Sequence, residues 1–99
     1  MEGFEVNCVN KRNRNSTHEH ITHIGNTHTL WRMTRESAIT LIDSKPEAFY
    51  TIDKSTGKRI YIGVVREQGK APYLRTYADG KWSDNLLAQD ECGSSCKII

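Results

Sequence analysis

The chain has 99 residues, 36% of them hydrophobic and 26% charged, which suits one domain with a modest core and a limited buried fraction. Fourteen basic against twelve acidic side chains leave a net charge of +2, without the strong basic excess typical of a nucleic-acid protein. No apolar run reaches the roughly 18 residues that a spanning helix needs.

The residues from Phe4 to Asn10 alternate apolar and polar, predicting a strand with Phe4, Val6 and Cys8 facing inward. Lys11 to Thr17 is polar and rich in turn formers, and reads as a loop. His20 to Ile24 forms a second, short strand that Gly25 and Asn26 end. Thr27 to Leu30 is irregular, and Trp31, Arg32 and Met33 lead into a helix. Thr34 has the hydroxyl of a good N-cap. Glu36 suits the positive end of the helix dipole, and Met33 and Ala38 have the spacing of a weak hydrophobic staple. Ala38, Leu41 and Ile42 share one helical face. Pro46 disfavours helical geometry at Lys45, so the helix is expected over about Arg35 to Asp43.

Glu47 to Tyr77 reads as a β-meander. Its first strand, Ala48 to Ile52, is aromatic and β-branched. A polar turn ending in Gly57 follows. The second strand, Lys58 to Arg66, carries an apolar row (Ile60, Ile62, Val64) and a mixed row (Arg59, Tyr61, Gly63, Val65). After a turn at Gln68 to Ala71, Pro72 to Tyr77 forms the third strand, with Pro72 suited to its start. Asp79 and Gly80 mark another turn. Leu86 and Leu87 are expected to dock on the core, and Asp90 onward to be mobile. The fold class is therefore α+β, in the order β-β-α-β-β-β. A mostly antiparallel five-stranded sheet would carry the short helix on one face. The chain would be a single domain, 1–99, folded over about 4–88 with 90–99 a mobile tail.

Several segments together resemble a small bacterial family of unknown function, DUF3892. They are His18 to Gly25, Trp31 with Thr34, Ala38 with Ile39, and Phe49 with Tyr50. Tyr73 to Thr76, Ala78 to Gly80, Asp84 to Leu87 and Glu91 with Cys92 complete the set. The likeness runs from about Val6 to Cys92. The chain departs from it at Ser44, Lys45 and Pro46, where the family has a Gly after the helix. It departs again at Gln89 and Asp90, where the family has Leu-Pro. The resemblance implies a single small bacterial domain and carries no activity, cofactor or catalytic residue.

The N-terminus, Met1 to Glu5, lacks the basic and apolar regions of a signal peptide. Three cysteines are an odd number and too few for a disulfide scaffold, so reduced thiols in the cytoplasm are expected. Cys8, His18, His20, His23, His28, Cys92 and Cys96 are of the ligand types that zinc prefers. Yet His20 and His23 would point to opposite strand faces, Cys8 lies on an apolar row, and Cys96 sits in a Gly-Ser-Ser tail. No metal or cofactor is expected. A Cys nucleophile needs an adjacent His, which nothing in the sequence supplies. No phosphate loop, metalloprotease pair or nucleophile elbow is present. The chain thus reads as no enzyme.

Two binding readings remain. Arg59, Tyr61, Tyr73, Arg75 and Tyr77 interleave aromatic and basic side chains on neighbouring strands, and Lys11, Arg12 and Arg14 form a basic loop. Such a surface could stack bases and pair phosphates. Equally, the open sheet face or a sheet edge could take a protein or peptide. A non-catalytic module for a protein or peptide, monomeric or weakly dimeric and away from membranes, is the leading expectation. Nucleic-acid binding comes second and a structural zinc domain third.

Overall fold

The computed structural model describes residues 3–11, 20–78, 80–83 and 85–99. Among them the fold is mixed α+β, with one short helix and two five-stranded, mostly antiparallel sheets. The first sheet runs β1 (Phe4–Glu5), β5 (Phe49–Ile52), β6 (Arg59–Val65), β7 (Tyr73–Ala78), β8 (Lys81–Ser83). The second runs β10 (Lys97–Ile98), β4 (Trp31–Thr34), β3 (Ile21–Asn26), β2 (Cys8–Lys11), β9 (Asp90–Glu91). The helix α1 (Arg35–Ser44) follows β4 without a break.

The single sheet expected from the sequence is thus two sheets sharing one core. The division begins in the N-terminal strand, which is really two. Phe4 and Val6 donate to the Ala48 and Tyr50 carbonyls, whereas Asn7 donates to the Gly25 carbonyl. The chain therefore changes sheets between Val6 and Asn7. Val6 and Val9 are fully buried in the core, but Phe4, expected inward, is 56% exposed, and Cys8, also expected inward, is buried on the opposite face of the second sheet. Trp31 to Met33, expected as a lead-in to the helix, pairs along β3 as strand β4.

Val9, Ile24 and Met33 lie opposite one another across β2, β3 and β4 and face the core. The register shifts between Asn10 and Lys11. Such a bulge lets residues of odd spacing share a face, and Ile21 and Ile24 both enter the core. From the other sheet come Phe49, Ile62 and Leu74, and from the helix Ala38 and Ile42. The expected inward row of β6 holds for Ile60 and Ile62, which are buried, and Val64 packs partly buried against the core.

The helix is capped as expected. Thr34 is extended, and its hydroxyl accepts from the Ser37 N–H at 3.2 Å. At the other end the Lys45 N–H donates to the Leu41 and Ile42 carbonyls before Pro46 turns the chain away. The buried face differs from the expected one: Ala38 and Ile42 are buried, Ile39 packs against the core, and Leu41 is 39% exposed.

Beyond β8, Thr76 organises the return of the chain. Its buried hydroxyl lies 2.7 Å from the Ser83 hydroxyl and accepts from the Leu86 N–H at 3.3 Å. Leu86 is thereby set into the core with no exposed surface. The remainder is not a loose tail. Asp90 and Glu91 pair in parallel with Cys8 and Val9, and Lys97 and Ile98 pair in parallel with Trp31 and Arg32. Cys8 and Cys92 form a disulfide with Cα atoms 4.9 Å apart, which corrects the expectation of reduced thiols. A polar Gly-Ser-Ser stretch is held here by backbone pairing and a covalent bond, neither of which leaves an apolar pattern.

Gly25 shows how tightly the second sheet is built. A Cβ there would run into the Trp31 carbonyl oxygen and lie 2.9 Å from Arg32 Cα. Both obstacles are backbone of the paired strand, so they cannot swing aside. Gly25→Ala is expected to cost about 2 kcal/mol, in the range for overpacking, measured as a lowered midpoint in urea unfolding.

Candidate functional site

Alternation places Tyr61, Gly63, Arg75 and Tyr77 on the face of the first sheet that points away from the core. The register then extends the row beyond what the sequence suggested. Tyr50 lies opposite Tyr61, Tyr61 opposite Tyr77, and Tyr77 opposite Trp82. Four aromatic side chains from four successive strands form one ladder. Tyr50 and Tyr61 meet edge to face at 6.1 Å, and Tyr77 and Trp82 at 5.0 Å. Geometries of this kind add to area burial. Arg59 lays its guanidinium 4.4 Å above the Tyr50 ring, a cation–π contact.

Exposure grades along the ladder. Tyr50 is buried and Tyr61 half-buried, whereas Tyr77 is 47% and Trp82 40% exposed. The Trp82 indole lies over β6: a Cβ on Gly63 would sit 3.2 Å from its six-membered ring. Gly63 thus leaves room for the indole to lie against the strand. Two adjoining depressions share Tyr61 and Tyr77. One, of about 400 Å³, is bounded by Pro46, Gly63 and Trp82 as well and is open and apolar. The other, of about 320 Å³, adds Asp53, Lys58, Arg59 and Asn85. Asp53 accepts from the Ser55 N–H and hydroxyl, which hold its carboxyl below the usual range. The apolar trough therefore has one polar end carrying charges of both signs.

The other expected members of the site are placed differently. Arg75 is half-buried and its Nε donates to the Ser83 carbonyl at 3.2 Å, which braces β8. Tyr73 is buried, and its hydroxyl donates to Glu67 at 2.8 Å. That bond, with Lys70 nearby, holds the Glu67 carboxyl below its ordinary range. Tyr73 is thus a structural residue rather than a contact surface. Lys11 belongs to β2 in the second sheet, so it is not part of the ladder's sheet. Arg12 and Arg14 lie outside the described residues.

Of the metal-ligand types, Cys8 and Cys92 are bonded to each other and Cys96 is a buried thiol beside them. His20 and His28 are exposed. His23 is half-buried next to the Thr22 hydroxyl, and burial, then Arg32, lowers its pKa. His18 lies outside the described residues. Among the described residues no three His, Cys, Asp or Glu side chains gather as a metal site.

Sequence reasoning missed Trp82, Tyr50 and Pro46. A two-residue Asp-Gly loop between strands is a strong hairpin signal. Residues 79 and 80, expected as a turn, carry it, and taking that turn as a hairpin loop with a strand after it sets Trp82 beside Tyr77. A smaller apolar cleft of about 130 Å³ opens between Phe4, Trp31, Met33, Phe49 and Ile99. It lacks polar groups to orient a ligand and reads as the unsealed mouth of the core.

Among the described residues no helix is long and apolar enough to cross a membrane. No curated protein and no solved structure matches the chain. A family described as "Protein of unknown function (DUF3892)" matches residues 5–88, which takes in both sheets' central strands, the helix and the aromatic ladder, and the chain belongs to that family.

Proposed function

We propose that this protein is a small non-catalytic binding module that holds an extended protein segment against the ladder Tyr61, Tyr77 and Trp82. The observation that carries this is the trough itself: exposed Tyr and Trp rings set in register beside Pro46, on a sheet face turned away from the core. Tyr, Trp and Arg are the types enriched in binding hot spots. Aromatic grooves of this kind take extended, proline-containing segments, whose pre-ordered backbone loses little entropy on docking. Nucleic acid is the second reading, favoured by Arg59 and Lys58 at one end of the trough. The net charge of +2 weighs against it, as does Asp53 among those cations. The Cys8–Cys92 bond weighs against the cytoplasmic residence read from the sequence, since disulfides persist mainly in oxidising compartments.

The test is a displayed random-peptide selection against the purified protein, followed by calorimetry on the selected peptides. Trp82→Ala should weaken them by about 2 kcal/mol, roughly thirtyfold. Ile98→Ser, at the exposed edge of the other sheet, should not. Arg59→Glu is the cleaner charge change, because Arg75 also braces β8. Unchanged affinity in Trp82→Ala removes the ladder from the site. Oligo(dT) binding that falls with salt and is lost in Arg59→Glu would turn the assignment to nucleic acid.

A further inference from the structure

We propose that Cys8, Cys92 and Cys96 form a thiol–disulfide exchange site that moves the covalent tie on the C-terminal segment. Three observations carry it, independent of the ladder. First, the three cysteines pack as one buried cluster, separate from the main core, with Cys8 and Cys92 bonded and Cys96 a thiol. Secondly, the segment after Cys92 doubles back. The Cys96 N–H donates to the Gly93 carbonyl at 3.1 Å, which returns Cys96 toward Cys92 across three small residues. Thirdly, the segment has the form of a strap. Its ends, β9 and β10, are the two edges of the second sheet, so residues 92–96 cross from one edge to the other.

The strap crosses on the face away from the core. Val9, Ile24 and Met33 point inward, so Cys8 and Arg32 point outward. Arg32 donates from Nε to the Cys96 carbonyl and from Nη1 to Asn10 Oδ1, and Asn10 donates to the Cys92 carbonyl. Two side chains of the sheet thus hold the two cysteine carbonyls of the strap.

The chemistry balances without an outside oxidant. The Cys96 thiol loses its proton to water, and the thiolate attacks the Cys92 sulfur. A Cys92–Cys96 bond forms as the Cys8–Cys92 bond breaks, and the electron pair leaves on Cys8, which takes up a proton. One disulfide and one thiol stand on each side. The structural difference is large. The initial bond joins residues 84 apart, whereas the product bond is local to the strap. Afterwards the long-range covalent tie is gone, and the two-residue strands with the Asn10 and Arg32 hydrogen bonds remain to hold the strap. The edges of β2 and β4 can then be uncovered for pairing with another chain, the mode of β-addition.

Trypsin cleavage reads the exchange directly, because no Lys or Arg lies between Trp82 and Cys96. Cys92 and Cys96 share one peptide and Cys8 lies on another. Oxidised protein is held under native conditions at pH 8.5, acid-quenched, alkylated at low pH and mapped by mass spectrometry. Wild type should give two populations. One has the Cys8 and Cys92 peptides linked with Cys96 alkylated; the other has Cys8 alkylated and the Cys92 peptide internally bonded. Cys96→Ser should keep the linked species, which also reports that it folds, and lose Cys8 alkylation altogether. Wild type that stays wholly linked overturns the proposal. So does Cys8 alkylation that persists in Cys96→Ser, since it then arises without the Cys96 thiol.

Discussion

Cys8→Ser should lower the unfolding free energy by about 4 kcal/mol and the melting temperature by roughly 20 °C. The bond it removes closes a loop spanning 84 residues, nearly the whole chain. Loop-closure entropy grows with the logarithm of loop length, so this is close to the largest effect one bond can have in a chain of this size. Little else would compensate. Each strand of the strap is two residues long, and its side-chain anchors are a few hydrogen bonds, each of modest net value. Cys8 also has no exposed surface, so the serine hydroxyl adds a desolvation cost. Urea unfolding of oxidised wild type, reduced wild type and Cys8→Ser separates these parts. Reduced wild type should unfold well below oxidised wild type, and the variant lower still by the cost of the buried hydroxyl. If oxidised and reduced wild type unfold together, the bond contributes nothing to stability and the strap is an independent appendage.

The parts of this fold legible in the sequence are those where a periodic pattern runs far enough to be read. The alternation along β6 placed Ile60 and Ile62 inward and Arg59 and Tyr61 outward, and the register agrees. Thr34 and Pro46 bounded the helix by local chemistry that needs no tertiary partner. What escaped is short or held by long-range groups. β4 spans four residues and runs straight into the helix, so no turn residue separates them. β1 and β2 are parted by Val6 and Asn7, which carry no breaker, and only the pairing partners reveal the change of sheet. The strap is polar, and its order comes from backbone pairing at sheet edges and from a cysteine at the far end of the chain. In the candidate site, Tyr61 and Tyr77 followed from alternation. Trp82 did not, because its strand is three residues long, and Tyr73 turned out to be buried against Glu67. The odd cysteine count pointed away from a disulfide, whereas the three residues divide as a bonded pair and a buried thiol.

Ile42→Asp should unfold the domain or cost at least about 4 kcal/mol, while Leu41→Asp should cost under about 1 kcal/mol. Ala38, Leu41 and Ile42 fit one helical face by spacing alone, but so do Ala38, Ile39 and Ile42 with the face turned slightly. Packing between the two sheets selects the second set. Ile42 is 6% exposed and belongs to the same core cluster as Ile62, Leu74 and Met33, whereas Leu41 is 39% exposed. A carboxylate at position 42 would lie among apolar side chains from both sheets, where its desolvation is costly. At position 41 it would reach water, and its cost comes from the nearby negative end of the helix dipole, a surface effect of a few tenths of a kcal/mol. The neighbouring Asp43 illustrates a tolerated charge, pairing with Arg66 at 2.7 Å on the surface. Far-UV circular dichroism with thermal melts distinguishes the two variants directly. Comparable losses in both would mean that Leu41 faces the core, and the helix would have to be rotated about its axis with its contacts to both sheets reassigned.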